Sequence, residues 1–293
     1  MKRILLFVAT NVAVLVVLSI VASLLGLDRF VTRQGLDPVA LLGFAAVFGF
    51  GGALISLAIS KRMALWTTGA QIIRQPQNET EAWLVTTVHR LAKQSNVGEP
   101  DVAIYGGQEL NAFATGANRN KALVAVSEGL LRGMTRDEVE AVLAHEVAHV
   151  ANGDMITMTL LQGVLNTFVI AISRAVGWVA GRAVARDDDD GGGISYMAYF
   201  AASLAAQILL GIGASLIVMA FSRHREFRAD AGAAKLVGPD PMIRALQRLG
   251  GDEQESGLPE AVRAFGIRNG KSWLSLFASH PPIPARVEAL RRA

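Results

Sequence analysis

The sequence predicts a mainly α-helical integral membrane protein, with four transmembrane helices and a cytoplasmic α+β domain. Three observations carry this. Four long runs hold no Asp, Glu, Lys or Arg, at 4–27, 38–60, 155–173 and 194–222. A helix needs about 20 such residues to cross a bilayer, at roughly 1.5 Å each. Two large polar blocks, 61–154 and 223–293, are separated by two crossings, so both lie on one face. That face carries Lys2, Arg3, Lys61, Arg62, Arg223, Arg225 and Arg228, whereas the other carries Arg29, Arg33, Arg174, Arg182 and Arg186. The excess marks the first face, with the N-terminus and both polar blocks, as cytoplasmic.

Composition alone would not decide the class. The chain is 52% hydrophobic and 18% charged, a modest departure from soluble averages of about 45–50% and about 25%. Distribution decides it. The net charge of +3 reflects the positive-inside bias, and no basic helix with interleaved aromatics points to nucleic acid. There is no cysteine, which excludes disulfides and thiolate metal sites.

The first run, 4–27, follows a basic Met1-Lys2-Arg3 start and resembles a signal peptide. It exceeds a usual signal core of roughly 7–15 residues, so an uncleaved anchor is expected. Residues 28–37 then link it to the second span, 38–60. Gly43, Gly49, Gly51 and Gly52, and later Gly211 and Gly213, let membrane helices approach closely. In the block 61–154, residues 79–94 have apolar positions at helical spacing (Trp83, Val88, Leu91, Ala92), and 101–105 and 122–126 read as short strands. Ser127 and Thr135 read as helix caps, and Thr135 with Glu138 makes a capping box. That box opens the helix containing AVLAHEVAHVANGDM (141–155). Asn152-Gly153-Asp154 marks the expected membrane boundary. The third span, 155–173, is the weakest, being short and ended by Arg174; its alternative is a buried or interfacial helix. The run DDDDGGG (187–193) reads as a flexible solvated turn, since its spacing matches no calcium loop.

The chemistry centres on HEVAH. Residues four apart share a helix face, so His145 and His149 can offer two imidazoles to one ion. Glu146, beside the first, can reach a water on that ion as general base. This is the HExxH arrangement of zinc hydrolysis; its alternative is a pair of core histidines. A catalytic zinc needs a third ligand, and Glu226, Glu260 and Glu288 are candidates. The hairpin of the last two spans returns Glu226 close to His149, four residues past Ser222, and ties down neither tail acid. Glu226 is therefore the expected third ligand. Asp230, at i+4, is placed to accept a hydrogen bond from a ligand histidine; its alternative is a surface charge near Arg225 or Arg228. His224 reads as a surface group. His280, in SHPP, is the candidate donor to a tetrahedral oxyanion, or else a structural tail histidine. Asn111, Ala112, Phe113 and Ala114 read as an edge strand that could bind extended peptide through its backbone, or as part of an ordinary hairpin.

With NAFATG, VSEGLL, HEVAHVANGD, SRHREFRADAGAAKLVG and SHPP together, the chain resembles the HtpX-type membrane zinc metalloproteases, bacterial relatives of the CAAX prenyl endopeptidases. The resemblance covers nearly the whole chain. It implies a gluzincin-like domain with one zinc on His145, His149 and Glu226, in the bacterial inner membrane. It implies ATP-independent endoproteolysis of damaged or misassembled membrane proteins, a role in heat and envelope stress, and a link to an ATP-dependent membrane protease. The competing functions are a membrane scaffold or chaperone with a structural metal, and a prenyl-protein peptidase.

Overall fold

The computed structural model describes residues 2–32, 35–185, 194–255 and 280–292. The DDDDGGG run and Glu260 lie outside them. The chain divides into two compact units, Met1–Ser56 with Met158–Val218, and Leu57–Thr157 with Met219–Ala293.

The first unit is helical. It holds α1 (Lys2–Leu24), most of α2 (Pro38–Thr68), and the larger parts of α6 (Asp154–Val184) and α7 (Tyr196–Val237). Among the described residues, α2, α6 and α7 are long and apolar enough to cross a membrane, and Val12–Leu24 of α1 is a shorter apolar stretch. Their outward surfaces are apolar: Leu15, Phe168, Phe200 and Leu209 are all exposed. Surfaces of that kind suit lipid rather than water. A short hairpin, β1 (Val31–Thr32) and β2 (Gly35–Leu36), joins α1 to α2. Close approach explains some of the glycines. A methyl on Gly49 would sit 2.3 Å from the Thr167 hydroxyl, and one on Gly51 would sit 2.7 Å from Leu18. Gly211 and Gly213 do not fit that reading, since open space surrounds both among the described residues.

Two of the apolar runs extend as helices beyond their uncharged limits. α6 continues past Arg174 to Val184, and α7 continues past Ser222 to Val237. A charge ends an apolar run without ending a helix, because neither Arg174 nor Arg223 disturbs the backbone ladder. The helices carrying the last two runs are thus 31 and 42 residues long.

The second unit is built on a four-stranded sheet of order β3-β4-β6-β5. The strands are β3 (Gln71–Ile72), β4 (Asp101–Tyr105), β5 (Ala112–Thr115) and β6 (Leu123–Ser127). β4 and β6 run parallel, and the other pairs are antiparallel. β5 lies at one edge, with Ala112 opposite Val126 and Thr115 opposite Leu123. Strand alternation sends Val102, Val124 and Val126 to one face, where they meet α3 (Glu79–Gln94) and α5 (Arg136–Asn152). Ala103, Tyr105, Leu123 and Ala125 face the other way, against Ala64, Leu65 and Phe113. The short α4 (Glu128–Gly133), α8 (Pro239–Glu255) and α9 (Ile283–Arg292) complete the unit. α8 and α9 add Met242, Leu246, Val287 and Leu290 to the main core.

α5 is the central element. The Thr135 side chain accepts from the Glu138 backbone N–H, and the Glu138 carboxylate accepts from the Thr135 N–H at 2.8 Å. These bonds satisfy donors that a helix start otherwise leaves open. The helix ends at Gly153, whose φ of 68° is left-handed. That conformation costs glycine little and lets the chain turn at once into α6. Of residues 141–150, all but Glu146 are buried. A helix buried on nearly every side is a core helix rather than an amphipathic surface one. Its two histidines therefore sit in the protein interior, where polar groups need partners.

Candidate metal centre

The partners come from α7, α6 and the tail. Glu226, on α7, is 1% exposed. Its Oε2 lies 3.4 Å from His145 Nε2, and its Oε1 lies 3.3 Å from His149 Nε2. The two Nε2 atoms are 3.1 Å apart, with the rings nearly perpendicular. These three side chains could hold a metal ion. The donor spacing tests the fit. Zinc bonds of about 2.0–2.1 Å in a tetrahedron put ligand atoms about 3.3–3.4 Å apart, close to all three separations here. Two imidazole Nε2 atoms facing one another at this distance also need something positive between them, a proton or a cation. The residues present fit a four-coordinate metal.

Each ligand has its own support. His149 Nδ1 donates to Asp154 Oδ2 at 2.6 Å, and Arg228 donates to Asp154 Oδ1 at 2.7 Å. Asp230 is buried rather than a surface charge; its Oδ1 lies 2.9 Å from His145 Nδ1. That approach is short but poorly aligned for a hydrogen bond, since Nδ1 lacks a well-directed acceptor among the described residues. Arg286, from α9, grips Asp230 with two bonds, Nε to Oδ2 at 2.8 Å and Nη2 to Oδ1 at 2.6 Å. It also lies 3.6 Å from Glu226 Oε2. His280 Nδ1 donates to Glu226 Oε2 at 2.8 Å, so the structure places it on the carboxylate that faces both histidines. His224 is exposed, and Glu288 is an exposed partner of Arg292 on α9. Glu146 is one residue along from His145 and is the unburied position of its helix segment. Asn111 precedes β5, and Ala112, Phe113 and Ala114 lie within it.

The charges determine how the site behaves without metal. Burial alone would lower the pKa of His145, but the carboxylates of Asp230 and Glu226 outweigh it and carry it up to about 9. Burial likewise opposes protonation of His149, and Asp154 and Glu226 reverse the balance upward. Arg286 is raised as well: burial works against its charge, and Asp230 more than restores it. The metal-free site therefore holds His145 as imidazolium at neutral pH, and a metal must displace that proton to enter. The sign follows. A raised histidine pKa stabilises the metal-free fold fully below the ordinary value of about 6.5. That contribution is lost as pH rises through about 9. Metal affinity should run the other way, rising about tenfold per pH unit for each proton released. Calorimetry of zinc binding in buffers of differing ionisation heat should register at least one proton released per ion at pH 7.5. An affinity flat between pH 6.5 and 8.5 would contradict this electrostatic picture.

Asp154, Arg228 and Arg286 were not singled out by the sequence reading as parts of this centre. Asp154 follows His149 by five residues, outside the helical three-or-four rule, and reaches it only because Gly153 turns the chain. Arg286 lies 56 residues from Asp230, a separation at which no local pattern operates.

Two imidazoles one turn apart on a buried helix, a carboxylate facing them from a second helix, and an accessible glutamate beside the first describe a metallopeptidase centre of the HExxH class. The family model described as peptidase family M48 matches residues 78–293, and the chain belongs to that family. It is 58% identical over 292 residues to "Protease HtpX homolog" of Janthinobacterium sp. (strain Marseille), covering 99% of each chain. It is 56% identical to the protein of the same description from Herminiimonas arsenicoxydans, again with 99% of each covered. In fold it is similar to the crystal structure of S. mikatae Ste24p, with a TM-score of 0.62 and 19% identity. That match covers 85% of this chain, which spans 58% of the Ste24p chain. The protein is a multi-pass membrane metalloprotease.

Proposed function

We propose that the metal is zinc and that the chain is an endopeptidase of the bacterial inner membrane. It cleaves misfolded or damaged membrane proteins at the cytoplasmic face. The observation carrying this reading is the convergence of Glu226 from α7 with His145 and His149 of α5 at zinc-like spacing, beside Glu146, the one unburied residue of the segment 141–150. Two nitrogens and one carboxylate suit zinc better than the all-oxygen sets of calcium or magnesium. In this reading α1 is the fourth span, and 61–154 with 223–293 form one cytoplasmic, gluzincin-like catalytic domain. The excess of Lys and Arg beside those blocks supports the orientation. The roles in stress response and membrane quality control, and the link to an ATP-dependent membrane protease, rest on the family likeness alone.

Zinc held there supplies Lewis acidity toward a peptide carbonyl and toward water. The chain's own groups do the rest. An extended substrate pairs with the backbone of β5, whose outer edge faces no other strand of the sheet among the described residues. Glu146 takes a proton from the attacking water as it adds to the carbonyl carbon. Glu146 then returns that proton to the nitrogen as the C–N bond breaks. His280 donates to the developing oxyanion; its exposed side chain and its position on Glu226 support that role. Asp230, held by Arg286, sets a negative charge 2.9 Å from His145 Nδ1 and so favours the ring orientation that turns Nε2 toward the metal position.

Purification in detergent with a chelator, followed by one equivalent of zinc, tests the reading. Zinc should restore cleavage of an unfolded membrane protein, and of the chain itself between molecules. Cleavage that continues in chelator would count against a metal-dependent site.

A further inference from the structure

Asp154 opens α6, where an acidic residue ordinarily faces water and interacts with its own helix's N–H groups. It does neither. Its side chain is fully buried, and its two oxygens each take a partner from another element. Oδ2 accepts from His149 of α5, and Oδ1 accepts from Arg228 of α7. We propose that Asp154 and Arg228 are a positioning pair for His149, one that orients its Nε2 for metal binding. This rests on the reading of His145, His149 and Glu226 as a zinc site.

The argument is one of bonding capacity. A carboxylate only accepts, so Nδ1 of His149 must carry the hydrogen it gives to Asp154. The lone pair of the neutral ring is then on Nε2, the atom that faces His145 and Glu226. An unheld imidazole would divide between two tautomers and rotate about its side-chain bonds. Arg228 holds the carboxylate in its turn, occupying the oxygen that His149 leaves free. It stands two residues beyond Glu226 on the same helix, so its ion pair also ties the start of α6 to the helix bearing the third donor. His145 has a parallel arrangement with Asp230 and Arg286. Each histidine thus has its own carboxylate, and each carboxylate its own arginine. Gly153 makes the Asp154 arm possible, since its left-handed turn folds residue 154 back under residue 149.

The test measures zinc affinity, by competition with a chromophoric chelator, and the visible spectrum of the cobalt-substituted full-length protein. Asp154→Asn removes the charge while nearly keeping the shape. It should weaken zinc binding roughly ten- to a hundredfold and alter the cobalt bands, with helix content unchanged. Arg228→Gln, at a half-exposed position, should weaken binding several-fold. The double variant should bind no more weakly than Asp154→Asn, because Arg228 acts through Asp154. Parent affinity and an unaltered spectrum in Asp154→Asn overturn the proposal. If that variant does not fold, unchanged affinity in Arg228→Gln overturns it instead. Glu226→Ala is measured in parallel. Should it bind zinc as tightly as the parent, the zinc-site reading itself fails; should it alone lose zinc, only the Asp154–Arg228 pair is excluded.

Discussion

Glu146→Gln should abolish most peptide cleavage while leaving one metal ion per chain. The side chain lies next to His145 but on the accessible side of an otherwise buried segment, so water and substrate can reach it. Glutamine keeps its volume and loses only the ability to take a proton. General-base catalysis contributes roughly a hundred- to ten-thousandfold, and kcat should fall by an amount in that range with little change in KM. Stability should shift by no more than about 0.5 kcal/mol, as for most replacements away from a packed core. Metal content by atomic absorption separates this outcome from loss of the site. A variant that keeps its metal and cleaves at more than a tenth of the parent rate would remove Glu146 from the mechanism. A scaffold with a structural metal would show no such split, because a structural site has no use for a base.

The residues legible in the sequence are those whose partners lie within a helical turn or a strand's alternation. The helix at 79–94 and the capping box at Thr135 follow from local spacing, and the structure has both. The strand expected at 122–126 is shifted by one residue, to Leu123–Ser127, because Ser127 both ends the strand and caps α4. Glu226 could be placed beside His149 because two long apolar runs return the chain to where it left. Asp154 could not. As the last charge before an apolar run it marked a boundary, and only the Gly153 turn reveals that it points inward. Arg286 was hidden for another reason: an arginine near a chain end is usually solvated, and nothing in its neighbours announces a buried acid 56 residues away. Gly211 and Gly213 erred in the opposite direction. Small residues permit close helix packing but do not compel it.

Replacing Glu226 should have the largest effect on the metal. Its carboxylate faces His145, His149 and His280 within 3.4 Å, with Arg286 at 3.6 Å. Glu226→Ala removes a donor and the negative charge that these groups share. Zinc occupancy should fall from one per chain to less than about a tenth, since two imidazoles alone rarely hold zinc against a chelator. Glu288→Ala, on the exposed side of α9, should keep full occupancy. The metal-free variant should also be less stable than the metal-free parent. Breaking a buried ion pair by deleting one partner costs roughly 3–5 kcal/mol, because the remaining charges stay buried without compensation. Thermal unfolding of both proteins in chelator measures that term apart from the metal. Glu226→Gln then divides the two effects: its amide restores volume and a hydrogen-bond acceptor for His280, but not the charge. If the glutamine variant recovers stability and still binds no zinc, the charge of Glu226 serves the metal. If it recovers neither, the carboxylate is needed to hold the histidines together even before a metal arrives.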